Sequence, residues 1–253
     1  MNRIFERPQM YDSMIKWDAR RAREMPFYQR VLPAGGRVLD VACGTGHHAV
    51  WLAQAGFHVD GCDLSEDMLA LARRNASEAR VDIDFSLADM TALPTNRGPY
   101  DGIICVGNAL SILDAPETLR AFFVGAERLL APGGRLLFQV LNDGRLLAEP
   151  RRFEPVRSGI VDGRELLFLK MFDFTHGAHA GRVDLGVMWR EEDGWKSDVN
   201  STRMTAWSTA EMEAAAAPLR LTWFGDHSGK PFDPAASVDR IGVATRGEAF
   251  PLD

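Results

Sequence analysis

Three aspartates and two glycines make the first chemical statement in this chain. Asp40 lies inside the apolar run Val38-Leu39-Asp40-Val41-Ala42. Gly44 and Gly46 follow at once, Asp63 comes 19 positions after Gly44, and Asp89 follows a later apolar segment. A buried strand, a glycine turn and a helix from about Gly46 to Ala55 fit that order. The glycines permit a sharp turn and leave no Cβ between the main chain and a ligand. The N–H groups at the helix start point at whatever lies over the turn. An ionised Asp63 can accept hydrogen bonds from both hydroxyls of a ribose. These residue types at this spacing therefore predict a site for a nucleoside-bearing ligand.

Which nucleoside is the next question. Gly44-Thr45-Gly46-His47-His48-Ala49 satisfies the dinucleotide fingerprint G-x-G-x-x-G/A, so an NAD-dependent oxidoreductase is one reading. Asp40 argues the other way, because a carboxylate at the strand tip repels a pyrophosphate and favours a cation. S-adenosylmethionine has no phosphate and carries both a sulfonium and an ammonium group. It gives Asp40 a role that a dinucleotide does not.

At this point the chain resembles the class I S-adenosylmethionine-dependent methyltransferases. Val38 to Gly46 looks like their first motif, Gly61 to Leu69 their second, and Leu87-Ala88-Asp89-Met90 their third. Tyr100 to Leu110 and Leu129 to Val140 look like their fourth and fifth strands. Val38 to Gly46 and Tyr100 to Asn108 resemble the small-molecule branch that contains glycine N-methyltransferase. The resemblance implies S-adenosyl-L-methionine as cofactor. It implies a site built from Tyr11, Arg20, Asp40, Ala42, Gly44, Gly46, Asp63, Leu64, Met68, Asp89, Met90, Cys105 and Gly107. In the family an acidic residue at Asp89 accepts from the adenine amino group. An N-terminal arm folds over the cofactor, and Arg20 would pair with its carboxylate. The arm's aromatic residues, Trp17 and Tyr28 among them, are explained nearly as well by packing on the sheet. A catalytically silent S-adenosylmethionine-binding protein remains a further alternative.

The elements that must position these residues alternate. Helical segments from about Gln9 to Leu32, interrupted near Pro26, form an arm within residues 1–34. Strands follow at Arg37 to Ala42, Phe57 to Cys62, Ile83 to Leu87, Asp101 to Val106 and Arg135 to Leu141. Between them lie helices from Ser65 to Ala79 and from Pro116 to Leu130. Alternation of this kind predicts an α/β fold, a Rossmann-like doubly wound, mostly parallel sheet. From Arg151 the pattern changes. Asp162-Gly163 and Asp193-Gly194 are hairpin signals between strand-forming runs, Phe153 to Val161 with Glu165 to Phe174, and Val183 to Arg190 with Lys196 to Met204. Residues 151–205 are therefore expected to be an antiparallel β insertion after the fifth strand, serving as a lid. A helix from Ser208 to Ala217 and strands Leu219 to Gly225 and Val238 to Thr245 complete a seven-stranded sheet. The expected unit is one domain over residues 1–253.

Net charge is −6, so nucleic acid and anionic membranes gain no electrostatic help as partners. The apolar runs fall short of a membrane span. Cys43, Cys62 and Cys105 fall in or beside expected buried strands, which fits a reducing cytoplasm. Cys43 is either a nucleophile or a small apolar-like loop residue. The partner expected is a small-molecule methyl acceptor, with the oligomeric state, homodimer included, left open.

The catalytic candidates are Asn108 and His227. Asn108 follows the fourth strand and either holds an amine or hydroxyl acceptor with its amide oxygen or caps the turn. His227 follows a strand that, if parallel to the first, delivers it to the ligand edge. There it either removes a proton from an acceptor or is a surface-loop histidine. In glycine N-methyltransferase an arginine at the end of the fifth strand binds the acceptor's carboxylate. Leu141 stands at that position, which implies a less anionic or bulkier acceptor. Asp173, His176 and His179 have a metal-like spacing, but no cysteine or further histidine joins them and no metal is expected. His47 is read as a spacer.

Overall fold

The computed structural model describes residues 8–161, 163–175 and 179–251. Two helices come first, α1 (Pro8–Ser13) and α2 (Trp17–Val31). The sequence places a break near Pro26, yet Pro26 lies inside α2 and the chain turns at 14–16 instead. Met25, Phe27, Tyr28 and Val31 are buried in the core beneath the sheet. That burial outweighs the hydrogen bond that proline cannot donate.

β1 (Arg37–Val41), α3 (His47–Gln54), β2 (His58–Asp63), α4 (Glu66–Glu78), β3 (Asp84–Leu87), β4 (Tyr100–Cys105), α5 (Pro116–Leu129) and β5 (Leu130–Leu141) follow. Ser65 caps α4 by accepting from Met68 N at 3.3 Å, with Glu66 and Asp67 in the first turn. β5 begins earlier than the sequence suggests. Leu130 already pairs with Tyr100, and the chain bulges over 131–134 before Arg135 pairs with Gly102.

An unforeseen helix, α6 (Asp143–Ala148), comes next, its first turn capped by Asn142, whose Oδ1 accepts from Gly144 N at 3.0 Å. A second sheet follows, made of β6 (Arg151–Phe153), β7 (Arg157–Val161), β8 (Arg164–Asp173), β9 (Ala180–Glu191) and β10 (Gly194–Thr205). The single strand expected over 153–161 is divided because Pro155 offers no N–H to a ladder. β6 and β7 pair in turn with different parts of β8. Gly163 and Gly194 have φ of 75° and 130°, as the two hairpin turns require; Asp162 lies outside the described residues. Val183, Leu185 and Val187 are buried on one face together with Leu166, Phe168 and Phe172. Met10 and Met14 of the arm and Leu141 at the end of β5 pack on that face.

α7 (Thr209–Ala216), opened by a Ser208–Glu211 capping box, leads to β11 (Arg220–Phe224) and β12 (Asp239–Thr245). The main sheet has seven strands in the order β11-β12-β5-β4-β1-β2-β3. β12 is antiparallel to both β5 and β11, so β11 runs parallel to β1 and ends at the same edge. Val38 and Leu39 point to opposite faces. One joins the core under α2, α3 and α4, the other the core under α5 and α7. The fold is thus the Rossmann-like α/β arrangement expected, with antiparallel strands after β5. No helix among the described residues is long and apolar enough to cross a membrane.

Arg240 joins three of these pieces from inside the protein. It is fully buried, and its Nη1 donates to Asp143 Oδ1 and to Thr209 Oγ1, each at 2.8 Å, while Nη2 donates to Trp207 O. Replacing it leaves a carboxylate and a carbonyl without their donor. Arg240→Ala is expected to cost about 3–5 kcal/mol, read as a lowered urea midpoint. Asp143→Asn, which keeps an acceptor, should cost clearly less.

Candidate functional site

The ends of β1, β2, β3 and β4 meet at one edge of the main sheet, and the glycine turn lies over it. Ala42, Gly44 and Gly46 all have left-handed backbones, with φ of 56°, 54° and 78°. In Ala42, a residue with a Cβ, that conformation costs about 1–2 kcal/mol and marks a position fixed by its surroundings. A Cβ at Gly46 would stand 2.8 Å from Ala72 Cβ, so this glycine lets α3 close on α4. A Cβ at Gly44 would meet nothing within 4 Å. The turn faces open space there, as a ligand cradle must.

Asp63 ties the turn to α4. Its Oδ2 accepts from Gly44 N at 2.8 Å and its Oδ1 from Ser65 N at 2.9 Å. With the Leu64 N–H as a third donor, the carboxylate still keeps a lone pair that a ribose hydroxyl can use. Burial pushes its pKa up, against the N–H groups of Ser65, Gly44 and Leu64. Asp40 lies beneath, 1% exposed, with Oδ2 buried and unpartnered. Burial first and the neighbouring Asp63 second push the Asp40 pKa up to about 8. At neutral pH this carboxyl holds its proton, and a cation placed above it would release that proton.

The arm brings Tyr11 and Arg20 to the same edge. Tyr11 lies in the fields of Arg20, Asp12 and Asp63. Arg20 Nη2 is 3.8 Å from where a Cβ on Gly107 would stand, while its Nε donates to Glu24 Oε1 at 2.9 Å. Asp12, which the sequence did not single out, latches the arm to the turn. It accepts from Thr45 Oγ1 at 2.7 Å and bonds His47 Nε2 at 2.9 Å. Trp17 stacks on His47 at 4.0 Å. His47 is therefore a latch partner rather than a spacer.

Glu24 was also missed, although a charge amid Met25, Phe27 and Tyr28 on a buried helix face is a readable signal. It is 1% exposed and is bonded by Arg20 and Arg23 at 2.9 Å, Tyr28 Oη at 2.8 Å and His48 Nε2 at 3.0 Å. Burial alone would raise its pKa. The His48 hydrogen bond and the charges of Arg20 and His48 outweigh that and hold it well below the carboxylate range.

At the exits of β2 and β3, Leu64 and Leu87 are 71% and 60% exposed, two large apolar side chains left in the open at the edge. Met68 is buried and Met90 half-buried against the core. Asp89 is exposed, and its Oδ1 accepts from Thr91 N and Thr91 Oγ1, each at 2.8 Å. It therefore shapes its own turn whatever else it does.

At the exit of β4 the Cys105 side chain is fully buried, so only its main chain can face a ligand. Gly107, with φ of 74°, is exposed. Asn108 Oδ1 accepts from Ser111 Oγ at 2.8 Å and Leu141 N at 2.9 Å. Both lone pairs are thus used within the protein, which joins this turn to Ser111 and to the end of β5. Gln139, a lone polar residue in the apolar run Leu136 to Leu141 and missed in the sequence, fixes this turn. Its Oε1 accepts from Gly107 N at 3.0 Å and Asn108 N at 3.1 Å, and its Nε2 donates to Asp239 Oδ1 at 2.9 Å.

His227 follows β11 at the same edge of the sheet as the glycine turn, but it is no surface residue. It is 7% exposed, its ring edge-on to Phe27 at 5.9 Å and Tyr28 at 5.7 Å, and Nε2 has no partner. Burial pushes its pKa down to about 4. Burial likewise pushes the Cys43 and Cys105 thiols well up and Cys62 up to about 12, so Cys43 is a neutral packing residue. Asp173 is committed to Thr175, Arg151 and Arg182. His179 lies 3.4 Å from Ala206 O, and His176 lies outside the described residues.

The Methyltransferase domain family matches residues 38–134, from β1 to the bulge of β5. A glycine/sarcosine N-methyltransferase of Parasynechococcus marenigrum is 36% identical over 159 residues, 62% of this chain and 56% of that one. The chain spans about half the length of the curated relatives it matches. Among solved structures, an S-adenosylmethionine-dependent methyltransferase from Clostridium acetobutylicum shares the fold with a TM-score of 0.73. It is 18% identical, over 88% of this chain and 89% of that one. An amino pentose methyltransferase of Micromonospora echinaspora, solved with S-adenosylmethionine bound, gives 0.70 at 22% identity over 92% of both chains. Residues 38–134 thus match the Methyltransferase domain family, and the chain shares its Rossmann-like fold with these solved methyltransferases.

Glu24→Gln would leave Arg20 and His48 beside a neutral amide, and it is expected to destabilise the protein by about 3–5 kcal/mol at neutral pH. Glu24's folded pKa lies below its ordinary 4.5, so its stabilising effect is present above that value and is lost as pH falls through the folded value. The gap between wild type and variant in urea unfolding should narrow below about pH 4.5 in consequence.

Proposed function

We propose that this protein transfers the methyl group of S-adenosyl-L-methionine to a small-molecule amine. The observation that carries this reading is Asp40: a buried carboxyl with an orphaned oxygen, directly under an open glycine turn, with Asp63 beside it. A ligand with a cationic end satisfies that oxygen. A dinucleotide would set its phosphates against Asp63 and offer Asp40 no cation.

Asp63 would hold the ribose, Leu64 and Met68 its apolar surroundings, and Asp89 with Met90 the adenine edge. Arg20, beside Gly107, would pair with the amino-acid carboxylate, with Tyr11 closing over it. Bound there, S-adenosylmethionine supplies a methyl group on a sulfonium that leaves without acid assistance. The remaining work of the chain is alignment and exclusion of water, a contribution of up to about 7–11 kcal/mol from positioning. The Gly107–Asn108 turn, fixed by Gln139, sets where the acceptor would lie. A neutral amine attacks without first losing a proton, whereas a hydroxyl needs a base. His227, with a pKa near 4, is a poor one at neutral pH, and Asn108 Oδ1 is already filled. Both points support N- over O-methylation. The relatives include glycine/sarcosine N-methyltransferases and ubiquinone biosynthesis O-methyltransferases, so the choice of nitrogen rests on these two side chains.

Calorimetric titration with S-adenosylmethionine tests the reading. Ionisation of Asp40 on binding makes affinity rise by up to about tenfold per pH unit as pH approaches 8, then level off. Asp40→Asn should bind more weakly and without that pH dependence. Asp63→Ala should weaken binding about ten- to hundredfold, and Gly44→Val should abolish it. Absence of binding by the wild type, or tighter binding of NADH than of S-adenosylmethionine, would remove the proposal. Turnover of a hydroxyl panel with none on amines would overturn the choice of acceptor atom.

A further inference from the structure

The inner face of the second sheet carries cations where the rest of it is apolar. Cross-strand partners share a face. Arg152 lies opposite Phe172, which pairs with Val183. Arg157 lies opposite Phe168, which pairs with Val187. Lys170, between those rows, lies opposite Leu185. Phe168, Phe172, Val183, Leu185 and Val187 are all buried. Arg152 and Lys170 thus stand on the covered side, with Arg157 at its exposed rim.

These cations are short of partners. Lys170 Nζ and the Arg152 guanidinium lie 4.7 Å and 5.0 Å from the centroid of the Phe172 ring. Arg152 Nε is buried with nothing to donate to. Two acids lie in the field of Lys170. Glu154 is paired with Arg152 at 3.0 Å, and Asp239 is hydrogen-bonded by Gln139 at 2.9 Å. Three cations therefore face one nearby acid on the lid and one across from it.

The position of the cluster ties it to the reacting end of the site. Gln139, bonded to Asp239, is the residue that fixes Gly107 N and Asn108 N at the exit of β4. Leu141, whose N donates to Asn108 Oδ1, packs in the same cluster as Phe172, Val183 and Leu185. Leu141 offers no charge, and of the cations near Asp239, Lys170 comes from the second sheet while Arg20 and Arg23 come from α2, where both already bond Glu24. We infer that Arg152 and Lys170 form a subsite for an anionic group, a carboxylate or a phosphate, carried by the methyl acceptor. The inference rests on the proposed methyl transfer for the identity of what is bound, but not for the site itself. It revises the expectation from Leu141 alone: the acceptor is anionic, with its charge held by the second sheet.

The test titrates acetate, inorganic phosphate and, as a neutral counterpart of acetate, acetamide into protein saturated with S-adenosylhomocysteine. It is repeated on the free protein, at constant ionic strength, and followed by amide NMR. At least one anion should saturate with shifts around Lys170 and Arg152, and acetamide should not. Lys170→Met should weaken that anion at least tenfold and leave S-adenosylhomocysteine affinity unchanged. Lys170→Arg should restore binding, which separates lost charge from lost packing. Tighter phosphate points to a phosphate ester as acceptor, tighter acetate to a carboxylate; either supports the subsite. No saturation by either anion, equal binding of acetamide, or anion affinity unmoved by Lys170→Met overturns it. A protein that binds these anions but no S-adenosylhomocysteine would sink the methyl-transfer reading and leave the subsite standing.

Discussion

Two carboxylates under one glycine turn set the terms for the rest of this molecule. Asp63 is held in place by the N–H of Gly44 and the N–H of Ser65. Asp40, below it, has no such support on Oδ2. Two like charges buried together are unfavourable, and the protein answers by leaving Asp40 protonated in the free state. The pair is thus a site that waits for positive charge. A parallel sheet makes it feasible, because strand ends, helix starts and an open glycine turn all fall at one edge.

The arm supplies the counterweight. Arg20 points towards that edge, and a free guanidinium there would cancel the acids prematurely. Glu24 prevents this by holding Arg20 through Nε, so that the remaining nitrogens lie near Gly107 rather than on Asp40. Because Glu24 is also bonded by Arg23, Tyr28 and His48, one buried carboxylate fixes the place of α2 relative to α3. The Asp12 contacts with Thr45 and His47 do the same for the start of the arm. The arm is thus joined to the turn it covers by charge-assisted hydrogen bonds, which are strong only where water is scarce.

What could be read from the sequence was whatever depends on backbone pattern. The seven strands, both hairpin turns and the capped start of α4 follow from apolar periodicity and from glycine, serine and proline chemistry. The glycine turn and Asp63 were legible for the same reason, since they act through the main chain. The errors share another cause. Pro26 failed to break α2, and α6 was not foreseen, because tertiary packing and the Asn142 cap decide both. Asp12, Gln139 and Arg240 went unread because their partners are distant in the chain, whereas Glu24 bonds mostly within its own helix and was missed despite its apolar neighbours. Arg240 meets Asp143, and Gln139 meets Gly107 and Asp239, only after folding. A lone polar residue in an apolar run announces that it has a partner, but not which one.

The placement of the second sheet has a consequence for how such a site can change. The edge that carries Asp40 and Asp63 is built by β1 to β4 and the arm, whereas the second sheet, β6 to β10, is inserted between β5 and α7. The two meet where Met10 and Met14 of the arm pack on the second sheet, and through Gln139, Asn108 and Leu141. If Lys170 and Arg152 hold the acceptor as inferred, substitutions there would act on it without touching the hydrogen bonds of Asp63, and contributions of groups that share no partner are nearly independent. Gln139 is the exception. It bonds both Asp239, near the lid cations, and the turn at the exit of β4, so any change there reaches both halves at once.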